Sequence, residues 1–266
     1  MVNEDISSDY DDRRAMQALQ LWVVFIVVSV INNGTILFAM GADLCDWTYS
    51  STKFLISGLV IYAGLFLVAP LILIKGWKIV RQPNFILPLV IATIAITFWH
   101  NPRGIAGVSV VVLAYLHWRY DLSDYLGIHS KRWQKEDMAA ILFVGLLSSV
   151  PRFLDPSPYS FSIVRAFVAA IDRLFANPAS TVENFFYFGF LAERLSHKTG
   201  RRWTPLIIGL MYTAHEMSNP EYWYEGMSFV LVFLAVVIFT VVYLWRRNAL
   251  VLWLGSGLGR FFSKLI

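Results

Sequence analysis

Two ionisable residues, Glu183 and His215, stand inside apolar sequence thirty-two positions apart. Charge inside a bilayer is costly, so an intramembrane carboxylate and imidazole within reach of each other are a functional-site expectation. A desolvated carboxylate can act as a general base on a water molecule, and a nearby imidazole can orient that water or bind a metal ion. Each residue also has a structural reading. Ser180-Thr181-Val182-Glu183 fits a capping box, with Ser180 at the N-cap and Glu183 three residues on. A carboxylate in a first helical turn also suits the helix dipole. His215 falls at a helix C-terminus, where an imidazole can satisfy terminal carbonyls.

The elements that must position this pair are readable. A helix is expected from about Glu183 to His197, followed by the basic turn Lys198–Arg202. The next helix is expected from Thr204-Pro205, a good N-cap and first-turn pair, to about His215. Two antiparallel neighbours joined by a short turn put the start of one beside the end of the other. Glu183 and His215 are therefore expected at similar depth. Glu193 and Arg194 lie at the opposite end, where an ion pair or a lipid-headgroup contact is expected. Glu216 is expected to be interfacial and solvated. His100, His117, His129 and His197 fall near loops or helix ends and are read as interfacial.

Composition sets the surroundings. Of 266 residues, 57% are hydrophobic and only 15% charged, against roughly 25% charged in a soluble domain. Aromatic residues make up 16%, which suits belts at two membrane interfaces. Apolar runs fall at about 18–40, 54–74, 84–99, 104–118, 138–150, 181–196, 203–217, 227–245 and 248–262. The expected fold is all-α and polytopic, with eight or nine transmembrane helices. Residues 159–176 carry Ile163, Phe167 and Ile171 at helical spacing between charges, so that stretch is expected to lie in the interface as an amphipathic helix. Residues 1–17, acidic through Glu4, Asp5, Asp9, Asp11 and Asp12, read as a disordered tail, and 18–266 as one helical membrane domain. Asn32 and Asn33, inside the first run, are expected to pack or to hydrogen-bond between helices. Tyr222–Tyr224 read as part of an aromatic belt, and Gly255, Gly257 and Gly259 as a close helix contact.

The single cysteine, Cys45, excludes an intrachain disulfide and a cysteine-based metal site. The net charge of +4 is scattered over loops that flank apolar runs, which speaks for membrane topology and against a nucleic-acid partner. With the N-terminus inside, alternate loops collect fifteen of the twenty-two Lys and Arg residues on one side. That side is the cytoplasmic one by the positive-inside rule, in what reads as a cytoplasmic membrane. Glu183 and His215 then fall near the opposite face, unless 159–176 crosses and reverses everything after it.

Three short patterns add a likeness. Glu183-Asn184-Phe185-Phe186-Tyr187-Phe188-Gly189 is similar to a motif of two Glu, three residues and Arg, with Gly after the Arg. Met211-Tyr212-Thr213-Ala214-His215 is similar to Phe, three residues and His. Asn248 to Arg260 is similar in register to a last-helix motif of His followed four residues later by Asn, with Ser256 and Arg260 in those two places. In these patterns the sequence resembles the CPBP family of intramembrane proteases, which includes the CAAX-type prenyl-protein endopeptidases. The likeness covers about 180–262. It implies Glu183 as the base that activates water and His215 as a water-positioning or metal-binding residue. It also implies departures at Asn184, Phe188, Ser256 and Arg260. A catalytic zinc takes about three protein ligands and an open position. One His and one Glu, with Glu216 and Asn184 as substitutes, do not lead one to expect a well-formed zinc site.

Three functions stay open. A CPBP-like protein with lost peptidase chemistry would serve as a binding or accessory subunit of a membrane complex, with membrane lipids and another membrane protein as partners. An active intramembrane endopeptidase would take a peptide substrate. An unrelated polytopic protein such as a transporter is the third.

Overall fold

The computed structural model describes residues 2–41, 62–98, 102–129, 133–153, 162–171, 173–174, 182–217 and 229–265. Cys45, His100, Ser180, Asn219 and Tyr222–Tyr224 lie outside them. Most of the described residues are helical. Among them there is no strand, only an isolated antiparallel bridge between Ile128 and Asn248.

Helix α1 spans Val2–Gly41. A first π-helical stretch, Tyr62–Val68, runs into α2, Ala69–Lys75. Then follow α3 (Pro83–Phe98), α4 (Pro102–Tyr120), the single turn α5 (Ser123–Leu126), α6 (Lys135–Phe153) and α7 (Ile163–Ile171). A second π-helical stretch, Phe185–Ala192, leads into α8, Glu193–Met217. Helices α9 (Phe229–Arg246) and α10 (Ala249–Leu265) complete the order. Helix α8 breaks at Gly200, whose φ of 72° and ψ of 160° turn the chain inside the expected basic turn. A positive φ of this kind is most readily adopted by glycine.

Among the described residues, two helical segments, Asp12–Thr35 and Phe229–Arg246, are long and apolar enough to cross a membrane. Both turn large apolar side chains outward, such as Ile31 (64% exposed) and Val230 (67% exposed). The acidic stretch expected as a tail belongs to α1 instead, which begins at Val2. Acidic residues at the N-terminal end of a helix are favoured by its dipole, so this acidity does not oppose helix formation. Asn32 donates to the Asn33 side chain over 3.3 Å within the same helix.

The second π-helical stretch, Phe-Phe-Tyr-Phe-Gly-Phe-Leu-Ala, is apolar on every side, and all eight residues are buried. A helix apolar all round belongs in the middle of its bundle. Phe186 stacks on Phe66 from the first π-helical stretch at 4.4 Å and on Phe190 at 5.8 Å. From α1, the Trp22 indole N–H donates to the Tyr187 hydroxyl over 3.1 Å. From α5, the Tyr125 hydroxyl donates to the Phe66 carbonyl over 2.6 Å. The end of α5, with Gly127 after it, crosses the buried helix at Gly189. A methyl group there would stand 2.5 Å from the Tyr125 carbonyl oxygen.

Around this centre, α10 lies on α6 and α7 through its glycines. A methyl group on Gly255 or Gly257 would meet Val144 or Leu174 at 2.5 Å, so the close helix contact expected at these glycines is present. Arg246 at the end of α9 holds Asp137 at the start of α6 over 2.8 Å and donates to Gln134 over 2.9 Å. On α7, Ile163, Val164, Phe167 and Ile171 point away from the bundle, while Ala166 is buried against it.

Gly189→Ala is expected to destabilise the protein by about 1–3 kcal/mol, the cost of forcing atoms into a filled interior. Gly34→Ala, with open space around it, serves as the control. Thermal unfolding of both variants in detergent checks this: equal midpoints would refute the backbone crossing at Gly189.

Candidate functional site

Glu183 sits in the helical turn just before the second π-helical stretch, and His215 in the last turn of α8. The reversal at Gly200 lays these segments side by side. Nδ1 of His215 stands 3.0 Å from Oε1 of Glu183, at ion-pair distance but off the axis of a hydrogen bond. Both residues are buried, Glu183 to 6% and His215 to 7% exposure. The Glu183 carboxylate thus turns to the neighbouring helix. Ser180, its expected capping partner, lies outside the described residues.

Aromatic rings close around the imidazole. Phe25 meets it edge-on at 4.7 Å, and Tyr187 lies parallel to it at 5.9 Å with 11° between the planes. Phe66 stands edge-on at 5.9 Å. These rings come from α1 and from both π-helical stretches. Isolated charge is costly in such surroundings, and a close opposite partner offsets part of that cost. π-helical turns occur often at functional sites, and Tyr187 reaches the imidazole from one.

Glu216 corrects an expectation. It is buried rather than solvated, at 8% exposure, and lies close enough to Glu183 and His215 for their charges to interact. It also hydrogen-bonds the Tyr212 side chain one turn back. Its placement next to His215, on a helix packed into the bundle, brings a second carboxylate to the pair.

The departed motif positions carry other contacts. Asn184 is half-buried. Phe188, in the place of the motif's Arg, is buried with its ring 6.4 Å from Phe239. Ser256 donates its hydroxyl to the Trp253 carbonyl of its own helix over 2.7 Å, and Arg260 is exposed. The donor set does not fit a zinc ion. Among the described residues, no group of three or more His, Cys, Asp or Glu side chains is arranged so that it could hold a metal ion.

A second polar cluster lies at the other end of the buried helix. Glu193 Oε2 accepts from the Tyr243 hydroxyl over 2.9 Å and from Arg247 Nη1 over 2.6 Å. His129 Nε2 stands 3.8 Å from the same oxygen, and His197 Nε2 stands 3.4 Å from Oε1. The expected ion pair at Glu193 is formed with Arg247, fifty-four residues away in sequence. Of this network, sequence spacing signals only the His197 contact, four residues along one helix. The Ile128–Asn248 bridge and the His129 N–H to Arg247 carbonyl bond of 3.0 Å bring the remaining partners in.

Searches against protein-family models, curated proteins and solved structures match nothing to this chain.

A double-mutant cycle on the pair is expected to show strong coupling. Glu183→Ala or His215→Ala alone should each destabilise by about 3–5 kcal/mol, because each leaves a buried polar group without its partner. The double variant should lose less than the two single losses added together. Denaturation in mixed micelles measures this, and strict additivity would show that the two side chains do not interact.

Proposed function

We propose that this chain is a CPBP-like integral membrane protein that works without peptidase chemistry, as a binding or accessory subunit of a membrane complex. In this reading it is polytopic, with eight or nine spans and residues 159–176 in the interface. It sits in the cytoplasmic membrane with its N-terminus inside. Two helices of spanning length and the outward apolar faces of α1, α7 and α9 support the membrane setting.

The observation that carries the non-catalytic reading is the enclosure of the pair. Peptide hydrolysis needs a water within hydrogen-bond reach of a base and aimed at a carbonyl. Here Glu183 Oε1 stands 3.0 Å from the imidazole, under the rings of Phe25, Phe66 and Tyr187. Phe188 and Ser256 stand in the places of the motif's Arg and last His. Phe188 packs into apolar surroundings, and Ser256 bonds its own backbone. The pair then serves to hold two helix ends in register.

The second reading is an active intramembrane endopeptidase with Glu183 as base. The buried Glu183, His215 and Glu216 grouping beside a π-helical stretch favours it. Its chemistry would run through carboxylate and imidazole, since the donors do not suit zinc.

The two readings separate in proteoliposomes supplied with a prenylated CAAX-type peptide. The expected result is no cleavage above that of the Glu183→Gln variant. Cleavage that Glu183→Gln and His215→Gln both abolish would overturn the accessory reading. Cross-linking in native membranes is expected to capture a membrane-protein partner in constant ratio, undiminished in Glu183→Gln. Sidedness has its own check: cysteines placed at Ser180 and Asn219 should label from the non-cytoplasmic side, and labelling of both from the cytoplasm would reverse the topology.

A further inference from the structure

Among the described residues, five tryptophans are exposed: Trp77, Trp118, Trp133, Trp203 and Trp245. All five stand at one end of the bundle, the end that carries Glu193. Trp203 follows the reversal at Gly200, and Trp245 precedes Arg247, which holds Glu193 over 2.6 Å. Trp133 precedes Gln134 and Asp137, both of which accept from Arg246. Trp118 lies in the last turn of α4, just before α5, whose Asp124 lines a cavity of about 130 Å³ together with Glu193. Trp77 follows Lys75, whose charge acts on Asp121 between α4 and α5. We infer that this end carries a docking belt for anionic phospholipid headgroups. The inference rests on the membrane reading above and is independent of whether peptidase chemistry is retained.

The level of the rings supports this first. From four of them, exposed apolar residues lead toward the middle of the helix: Leu206 and Leu210 after Trp203, Met138 and Leu142 after Trp133, Val241 before Trp245, and Val111 before Trp118. The rings therefore stand where an apolar face gives way to charge. Tryptophan takes that level at a bilayer interface because its ring is apolar and its N–H polar. The five rings also come from five separate elements: the turn after α2, α4, the segment before α6, α8 and α9. A bilayer leaflet meets all of them at one level, whereas a protein docked on one side meets only those that face it.

Charge gives the belt its preference. Each ring has a cation within two residues: Lys78, Arg119, Lys135, Arg202 and Arg246. Arg246 is committed to Asp137. Lys78, Lys135, Arg201 and Arg202 are exposed, and among the described residues none of the four meets a carboxylate at ion-pair distance. Nearby acids are fewer. Asp12 of α1 stands 3.4 Å from Lys198, and Asp121 accepts from the Ser123 hydroxyl over 2.5 Å. That leaves Asp124, on the cavity wall, and Glu136 as exposed acids on the elements that carry the rings. Basic side chains held at the headgroup level draw anionic lipid to them, and the attraction fades within a Debye length.

The test reconstitutes the full chain in bilayers of dibrominated phosphatidylcholine, whose bromines quench tryptophan fluorescence on contact. Dioleoyl phosphatidylglycerol or dioleoyl phosphatidylcholine then replaces the brominated lipid stepwise, and the recovered fluorescence gives the relative affinity of the two for the protein surface. Phosphatidylglycerol should exceed phosphatidylcholine about threefold or more, and the preference should vanish at roughly 1 M salt, where the Debye length is about 3 Å. Lys78→Gln, Arg201→Gln and Arg202→Gln combined should lower the ratio by about half or more. Arg260→Gln, eleven residues along α10 from its start at Ala249 and so away from this end, should leave it unchanged. Equal affinities in the native protein, a preference insensitive to salt, or a ratio that the triple variant keeps or that Arg260→Gln lowers as much would overturn the belt. Quenching absent from the outset would refute the membrane reading itself, and the belt with it.

Discussion

A carboxylate and an imidazole have to be accommodated in an interior otherwise made of rings and aliphatic chains, and much of the bundle's arrangement follows from that demand. Glu183 and His215 meet at 3.0 Å because the chain reverses at Gly200 and runs back along itself. Helix α1 and both π-helical stretches then contribute the rings that shut the pair away from surrounding solvent or lipid. In such surroundings, loss of either partner is far more damaging than loss of an exposed ion pair. The contact therefore fixes the depth of one helix relative to the other.

The central helix ends in two different environments. At the Glu183 end the polar groups are few, buried and enclosed by aromatic rings. At the Glu193 end one carboxylate gathers a tyrosine, an arginine and two histidines around an open cavity. Between them runs the all-apolar π-helical stretch, crossed at Gly189 where only a hydrogen fits below the Tyr125 carbonyl. Helix register couples the two ends, since Glu183 and Glu193 ride on the same continuous segment. The enclosed end suits holding helices together.

Several features were legible in the residues alone. The apolar run 181–196 marks a helix. The basic turn Lys198–Arg202 marks the reversal, and the spacing of Glu183 and His215 puts them at one level. The buried glycines of α10 likewise announced a close helix contact. Other features were not legible. Glu216 looks like an interfacial acid, yet α8 packs so that it joins the buried pair. The acidic residues before Arg13 look like a tail, yet α1 continues through them. Residues 159–176 looked amphipathic, and on α7 the apolar residues point away from the bundle while Ala166 packs inward. That placement depends on α10, and no local pattern encodes it.

Taken by itself, the sequence determined the helical class, the apolar character and the pairing of two particular side chains, because periodicity, glycine position and turn length act over a few residues. Tertiary packing alone decided which rings enclose the imidazole, that Arg247 rather than a neighbour neutralises Glu193, and that Ser256 turns to its own backbone. Those outcomes depend on which helix faces come together across fifty or more residues, and each partner's chemistry suits several alternatives until packing removes all but one.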